Sequence, residues 1–189
     1  MAEIMVFHSV YGLRPAVRAA ADRLSAAGHT VRVPDLFEGN TFDRIADGLA
    51  YRDELGSDVL TERAQRACAE LPRAAVFLGF SLGASLGVRL AKRCAFSALV
   101  LLHDGTCVPE AARLPAQIHV AEPDEFVEEP DLVAWSGYGA QVFRYPGCSH
   151  LYTDDATAEH READTAAARE TWSRITAFLA ERDRVAQGA

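Results

Sequence analysis

The chain contains no C-x-x-C pair: Cys68, Cys94, Cys107 and Cys148 stand apart, which excludes the spacing of a zinc site or a disulfide scaffold. No apolar run approaches the roughly 20 residues needed to span a bilayer, and residues 1–10 lack the basic start and longer apolar core of a secretory leader. Positive charge is in the minority, 19 Lys and Arg against 27 Asp and Glu for a formal net charge of −8. That balance argues against nucleic acid or an anionic membrane surface as the main partner. Internal repeats and low-complexity linkers are missing as well. Residues 79–87 lack both the G-x-G-x-x-G spacing and the lysine of a phosphate loop. These absences lead us to expect a cytoplasmic protein, monomer or homodimer, that acts on a small molecule with no metal or other cofactor.

What is present suits one globular domain over residues 1–189. A chain of that length buries roughly 70% of its unfolded surface, enough for a full core. Apolar runs at 3–8, 30–33, 74–78, 97–103, 117–121 and 140–145 read as strands. Helices are expected at 14–27, at 82–93 and at 156–180, the last an Ala-rich closing helix, with 125–135 largely helical around Pro130. Between 35 and 71 the signal weakens, with helices read at 42–55 and 60–71. This segment is expected to lie over the strand ends, where it could close over a substrate. Alternating strands and helices predict an α/β fold with a mostly parallel central sheet and helices on both faces.

Gly79-Phe80-Ser81-Leu82-Gly83 follows a strand and opens a helix. That is the setting of a G-x-S-x-G elbow, in which a strained turn lifts the serine hydroxyl above the sheet. Side chains at 79 and 83 would collide where strand and helix pass each other. An ordinary βα turn with a capping serine would leave the same five letters. A serine hydroxyl needs a base to take its proton, and a histidine base needs a carboxylate to fix its tautomer. Asp124 follows the penultimate strand and His150 the last, so the chain order is Ser81, Asp124, His150. Asp104, at the end of another strand, is the rival carboxylate. Cys148 reads as a small, partly buried loop residue. An oxyanion needs backbone N–H donors, which points to Leu82 after the nucleophile and Val10 after the first strand, with Ser9 or Tyr11 as neighbours. Ser9, Tyr11, Phe37 and Tyr152 are candidate substrate contacts, although packing inward suits Phe37 equally well.

Taken together, Val10-Tyr11-Gly12-Leu13, Val33-Pro34-Asp35-Leu36-Phe37, the elbow, the stretch from His119 to Val127, and Tyr145-Pro146-Gly147-Cys148-Ser149-His150-Leu151-Tyr152 resemble the dienelactone hydrolase family of α/β-hydrolases. The resemblance implies an α/β-hydrolase fold without a large cap domain and a Ser81, Asp124, His150 triad acting on an ester or lactone. A thioesterase or amidase on the same triad, or a non-catalytic binding protein, are the alternatives. The family's namesake enzymes carry cysteine in the elbow, a glutamate where Ser9 stands, and an arginine where this chain has Thr153-Asp154-Asp155. Arg14, Arg52 and Arg144 are the cations that could replace that arginine.

Overall fold

In β1 (Glu3–Phe7) the apolar side chains alternate, so Ile4 and Val6 point to one face of the sheet and Met5 and Phe7 to the other. The same division runs through β3 (Val76–Phe80) and β4 (Ala98–Leu102). Both faces of these strands are buried, which is why they read as continuous apolar runs. The computed structural model describes residues 1–69, 71, 74–157 and 159–188. With β2 (Thr30–Arg32), β5 (Ala116–Glu122) and β6 (Gln141–Pro146), the strands form one parallel six-stranded sheet in the order β2-β1-β3-β4-β5-β6.

One face of the sheet is covered by α1 (Pro15–Ala26) through Val17, Ala20 and Leu24, and by α6 (Glu162–Gly188) through Trp172, Ile175, Phe178 and Leu179. The other face receives α3 (Ser57–Ala69) through Leu60 and Ala64, α4 (Leu82–Cys94) through Leu86 and Leu90, and α5 (Glu129–Gly137) through Leu132 and Trp135. Each fully buried Leu, Ile or Phe contributes about 1.5–3 kcal/mol, so these stripes hold the three layers together. α2 (Ile45–Leu55) lies over the strand ends, as expected for this segment, and its Gly48 is its buried residue. No helix among the described residues is long and apolar enough to cross a membrane.

The order reverses at β1: the chain passes from β1 outward to β2, then crosses back to β3 on the other side. Ligands of open α/β sheets collect at the carboxyl ends of strands flanking such a reversal. The loop holding Val10 and the turn holding Ser81 leave the sheet there.

Several helix boundaries differ from the sequence reading: α2 starts at Ile45 and not at 42, α3 runs Ser57–Ala69 and not 60–71, and α5 runs Glu129–Gly137 and not 125–135. The closing helix starts at Glu162, not 156, and continues to Gly188. Asp154 accounts for its late start, because its Oδ1 accepts the Ala156 amide at 3.1 Å, its carbonyl accepts Thr157 Oγ1 at 3.2 Å, and Arg14 donates to the Ala156 carbonyl at 2.9 Å. The two local bonds of Asp154 compete with a helical turn, and Arg14 holds the Ala156 carbonyl from a distant part of the chain. Pro130 occupies the first turn of α5 and does not interrupt it.

Candidate active site

Ser81 has φ 48° and ψ −112°, a left-handed conformation that a side chain makes costly, by about 1–3 kcal/mol. Its amide is tied to the Leu102 carbonyl at 2.7 Å. The glycines around it are sterically required: a Cβ at Gly79 would stand 2.4 Å from Ala84 Cα, and one at Gly83 2.5 Å from the Phe7 and His8 carbonyl oxygens. Strand and helix can therefore meet closely enough to turn the serine outward.

Three side chains from separate loops converge here. Ser81 Oγ lies 3.0 Å from His150 Nε2, and His150 Nδ1 lies 2.9 and 2.8 Å from the two Asp124 carboxylate oxygens. The Asp124 side chain is 1% exposed and that of His150 14%. Asp124 is held in turn by the Phe126 amide at 3.0 Å, and the Phe126 ring leans on His150 with centroids 4.6 Å apart. Asp104, the rival, instead accepts from the Thr106 amide and hydroxyl at 3.1 and 3.0 Å. Burial pushes its carboxyl up to about 6 against those bonds.

The loop bearing His150 is fastened from below. The Ser149 amide donates to Asp164 Oδ1 at 2.9 Å and its hydroxyl donates to Oδ2 of the same carboxylate, which also accepts the Arg161 amide at 2.8 Å. Burial alone would raise the Asp164 carboxyl, but the bonds from Ser149 and Arg161 hold it below the ordinary value. His103 supports the same loop through Thr153, Nε2 to Oγ1 at 2.6 Å, and stands edge-on to Tyr152. Cys148 is buried, and its thiol is pushed up to about 11 by that burial and by Asp164.

A cavity of about 160 Å³ opens between Ser81, His150, Val10, Leu82, Asp104 and α2. Among the described residues the amides of Val10 and Leu82 make no hydrogen bond, whereas the Tyr11 amide is taken by Ser9 Oγ at 3.2 Å. Leu82 also begins α4, so its amide sits at the positive end of a 13-residue helix. A second, larger cavity of about 500 Å³ also borders His150 and Phe126, with Tyr11 and Arg161 in its wall.

Several expected contacts are placed elsewhere. Phe37 is fully buried, packed edge-on against His8 and Tyr51. Tyr152 is fully buried too, bonded to Thr171 at 2.8 Å. Ser9 is buried and borders neither cavity. Of the three cations, Arg14 is buried against Asp154 and the Phe42 and Ala156 carbonyls, and Arg144 pairs with Glu129 at 2.6 Å. Arg52 borders the Ser81 cavity and is paired with Asp53. Phe126, Asp164 and the Thr106 contact escaped the sequence reading, since none follows from a motif; an aromatic two residues after the candidate acid was the one available hint.

The sequence model of the dienelactone hydrolase family matches residues 1–182. No curated protein matches the chain in sequence. Among solved structures, a dienelactone hydrolase-like promiscuous phosphotriesterase from metagenomic libraries is similar at TM-score 0.76 and 20% identity, covering 96% of this chain and 86% of that one. A dienelactone hydrolase from Anabaena variabilis ATCC 29413 is similar at TM-score 0.59 and 18% identity, covering 89% and 82%. A methylesterase from Arabidopsis is similar at TM-score 0.61 and 11% identity, covering 94% and 100%.

Proposed function

Since this chain belongs to the dienelactone hydrolase family, an α/β-hydrolase family, we propose that it cleaves a small ester or lactone through Ser81, His150 and Asp124. The observation that carries this reading is the unbroken hydrogen-bonded path from Ser81 Oγ through His150 to both oxygens of Asp124. Nε2 takes the serine proton as Oγ attacks the carbonyl carbon. The Asp124 carboxylate fixes the Nδ1–H tautomer and stabilises the imidazolium that results. The amides of Val10 and Leu82 receive the oxyanion, each such donor being worth about 10²–10³ in rate. His150 then returns the proton to the leaving oxygen, the acyl-enzyme forms, and a water activated by the same imidazole releases the acid. Phe126 covers one side of the imidazole and limits its contact with solvent. The small volume beside Ser81 favours short acyl groups.

Labelling with a fluorophosphonate probe tests the nucleophile. Wild type is expected to label and Ser81→Ala not to; equal labelling of both, or none of either, contradicts the proposal. Turnover of p-nitrophenyl acetate and of a small lactone is expected to exceed that of matched acyl thioesters, and the reverse order would make the protein a thioesterase.

A further inference from the structure

The mechanism above leaves three ionisable groups of the Ser81 cavity unused, Arg52, His103 and Asp104, and Asp104 is the one carboxylate among them. Asp104 leaves the carboxyl end of β4, the neighbour of the strand that carries Ser81, and its side chain borders the same cavity of about 160 Å³ that contains Ser81, Leu82 and Val10. It is not bound to His150, whose Nδ1 is occupied by Asp124. The turn that holds it is rigidly fixed: Trp135 Nε1 donates to the Gly105 carbonyl at 3.1 Å, and the Thr106 amide and hydroxyl each take one carboxylate oxygen. Thr106 Oγ1 also meets Ser85 Oγ at 3.5 Å, one helical turn beyond the nucleophile. Each Asp104 oxygen therefore has one partner and one further accepting position. Among the described residues no Lys or Arg pairs with it, and Arg52 across the cavity is engaged by Asp53.

We propose that Asp104 is a specificity-determining residue that accepts a hydrogen bond from a hydroxyl or ammonium group on the acyl chain, next to the scissile carbonyl. The inference rests on the Ser81 reaction proposed above. Both expected oxyanion donors line this cavity, so the acyl carbon under attack must enter it. Its nearest substituents then face the carboxylate. A half-buried carboxylate without a cation is penalised by its surroundings, and desolvation does raise Asp104. A donor on the substrate would fill the free accepting positions, whereas an unsubstituted acyl chain would cover the charge with methylene groups.

The test compares kcat/KM for methyl butanoate with that for methyl 2-hydroxybutanoate, methyl 3-hydroxybutanoate and methyl 3-aminobutanoate at pH 7.5, followed by acid release. The wild type is expected to prefer at least one donor-bearing ester by about 10-fold or more. Asp104→Leu is expected to bring that ratio to about 1. Asp104→Asn, which keeps the shape but loses the charge, should lower the amino ester ratio more than the hydroxy ester ratio if ammonium is the group recognised, and both alike if it is hydroxyl. The ratio is internal to each variant, so partial loss of folded protein does not alter it. Flat ratios in wild type, unchanged ratios in both variants, or a protein that labels at Ser81 yet turns over none of these esters would overturn the inference while leaving the nucleophile in place. Turnover that persists in Ser81→Ala would overturn the proposed reaction itself.

Discussion

At Asp124 the geometry makes a demanding requirement of one functional group. Both carboxylate oxygens lie within 2.9 Å of His150 Nδ1, and the side chain is sealed from water. An amide there presents an NH2 group to Nδ1 and favours the tautomer that carries its proton on Nε2, facing Ser81. Asp124→Asn is therefore expected to lower kcat by about 10³–10⁴ while leaving the fold intact, as read from ester hydrolysis beside a circular dichroism melt. Asp104 has the opposite balance between stability and use. Its folded carboxyl is raised to about 6 from 3.8, so the associated stability is fully present below about 3.8 and is lost as pH rises through 6. Asp104→Asn is expected to gain up to about 3 kcal/mol over wild type at pH 7.5 and less than about 1 kcal/mol at pH 4, measured by urea denaturation at both pH values. That the side chains of Ser81, Asp124 and His150 meet was legible in the sequence, because the reaction proposed for them restricts residue type, strand position and chain order together. The places of Phe37 and Tyr152 were not, since an aromatic side chain beside a loop suits a cleft wall and a core equally well, and only the packing of distant neighbours decides.

Among the elements, α6 holds the His150 loop as well as the sheet. Its first turn carries Asp164, fully buried, whose oxygens accept two donors from Ser149 and one from Arg161. Asp164→Ala would leave these donors buried without partners, at about 1–3 kcal/mol each before relaxation. We expect a loss of about 3 kcal/mol, a fall in Tm of about 6–12 °C, and up to about 10²-fold lower kcat/KM from displacement of the imidazole. Thermal melts and the rate of fluorophosphonate labelling below the melting range separate the two effects, and labelling at the wild-type rate would mean that the loop keeps its position without this tether. The strands and most helices were readable from periodicity, which is local. The start of α6 was not, because it is decided by Asp154 and by Arg14 reaching across from the far end of the chain. The strand order, too, depends on pairings between residues far apart in sequence, and it is this order that sets Val10 beside Ser81.

Across the whole molecule, buried imidazoles tie the sheet to its loops and make the fold sensitive to acid. His8 donates from Nδ1 to the Ser9 carbonyl at 2.8 Å and accepts the Leu36 amide at Nε2 at 3.0 Å, a pattern open only to the neutral ring. His119 is held between Tyr145 and Gln117 at 3.1 and 3.2 Å, stacked on Phe143. Burial lowers His8, with Asp35 only partly opposing it; burial with His150 and His119 nearby lowers His103 further; and burial with Arg174 takes His119 to about 3. Since each folded value lies below the ordinary 6.5, the unfolded chain binds protons first, and stability present above pH 6.5 is lost as pH falls below it. At pH 5.5 His119 alone accounts for roughly 1 kcal/mol, and His8 and His103 act in the same direction. Asp104 and Asp154 oppose them, because burial raises both carboxyls and these regain stability as pH falls, but His29, also lowered by burial, joins the three imidazoles on the other side. Urea denaturation at pH 7.5, 6.5 and 5.5 is therefore expected to show a net decline below pH 6.5, smaller in His119→Gln than in wild type. A flat profile in wild type would mean that these rings take up protons without opening the fold, contrary to the hydrogen bonds that hold His8 neutral.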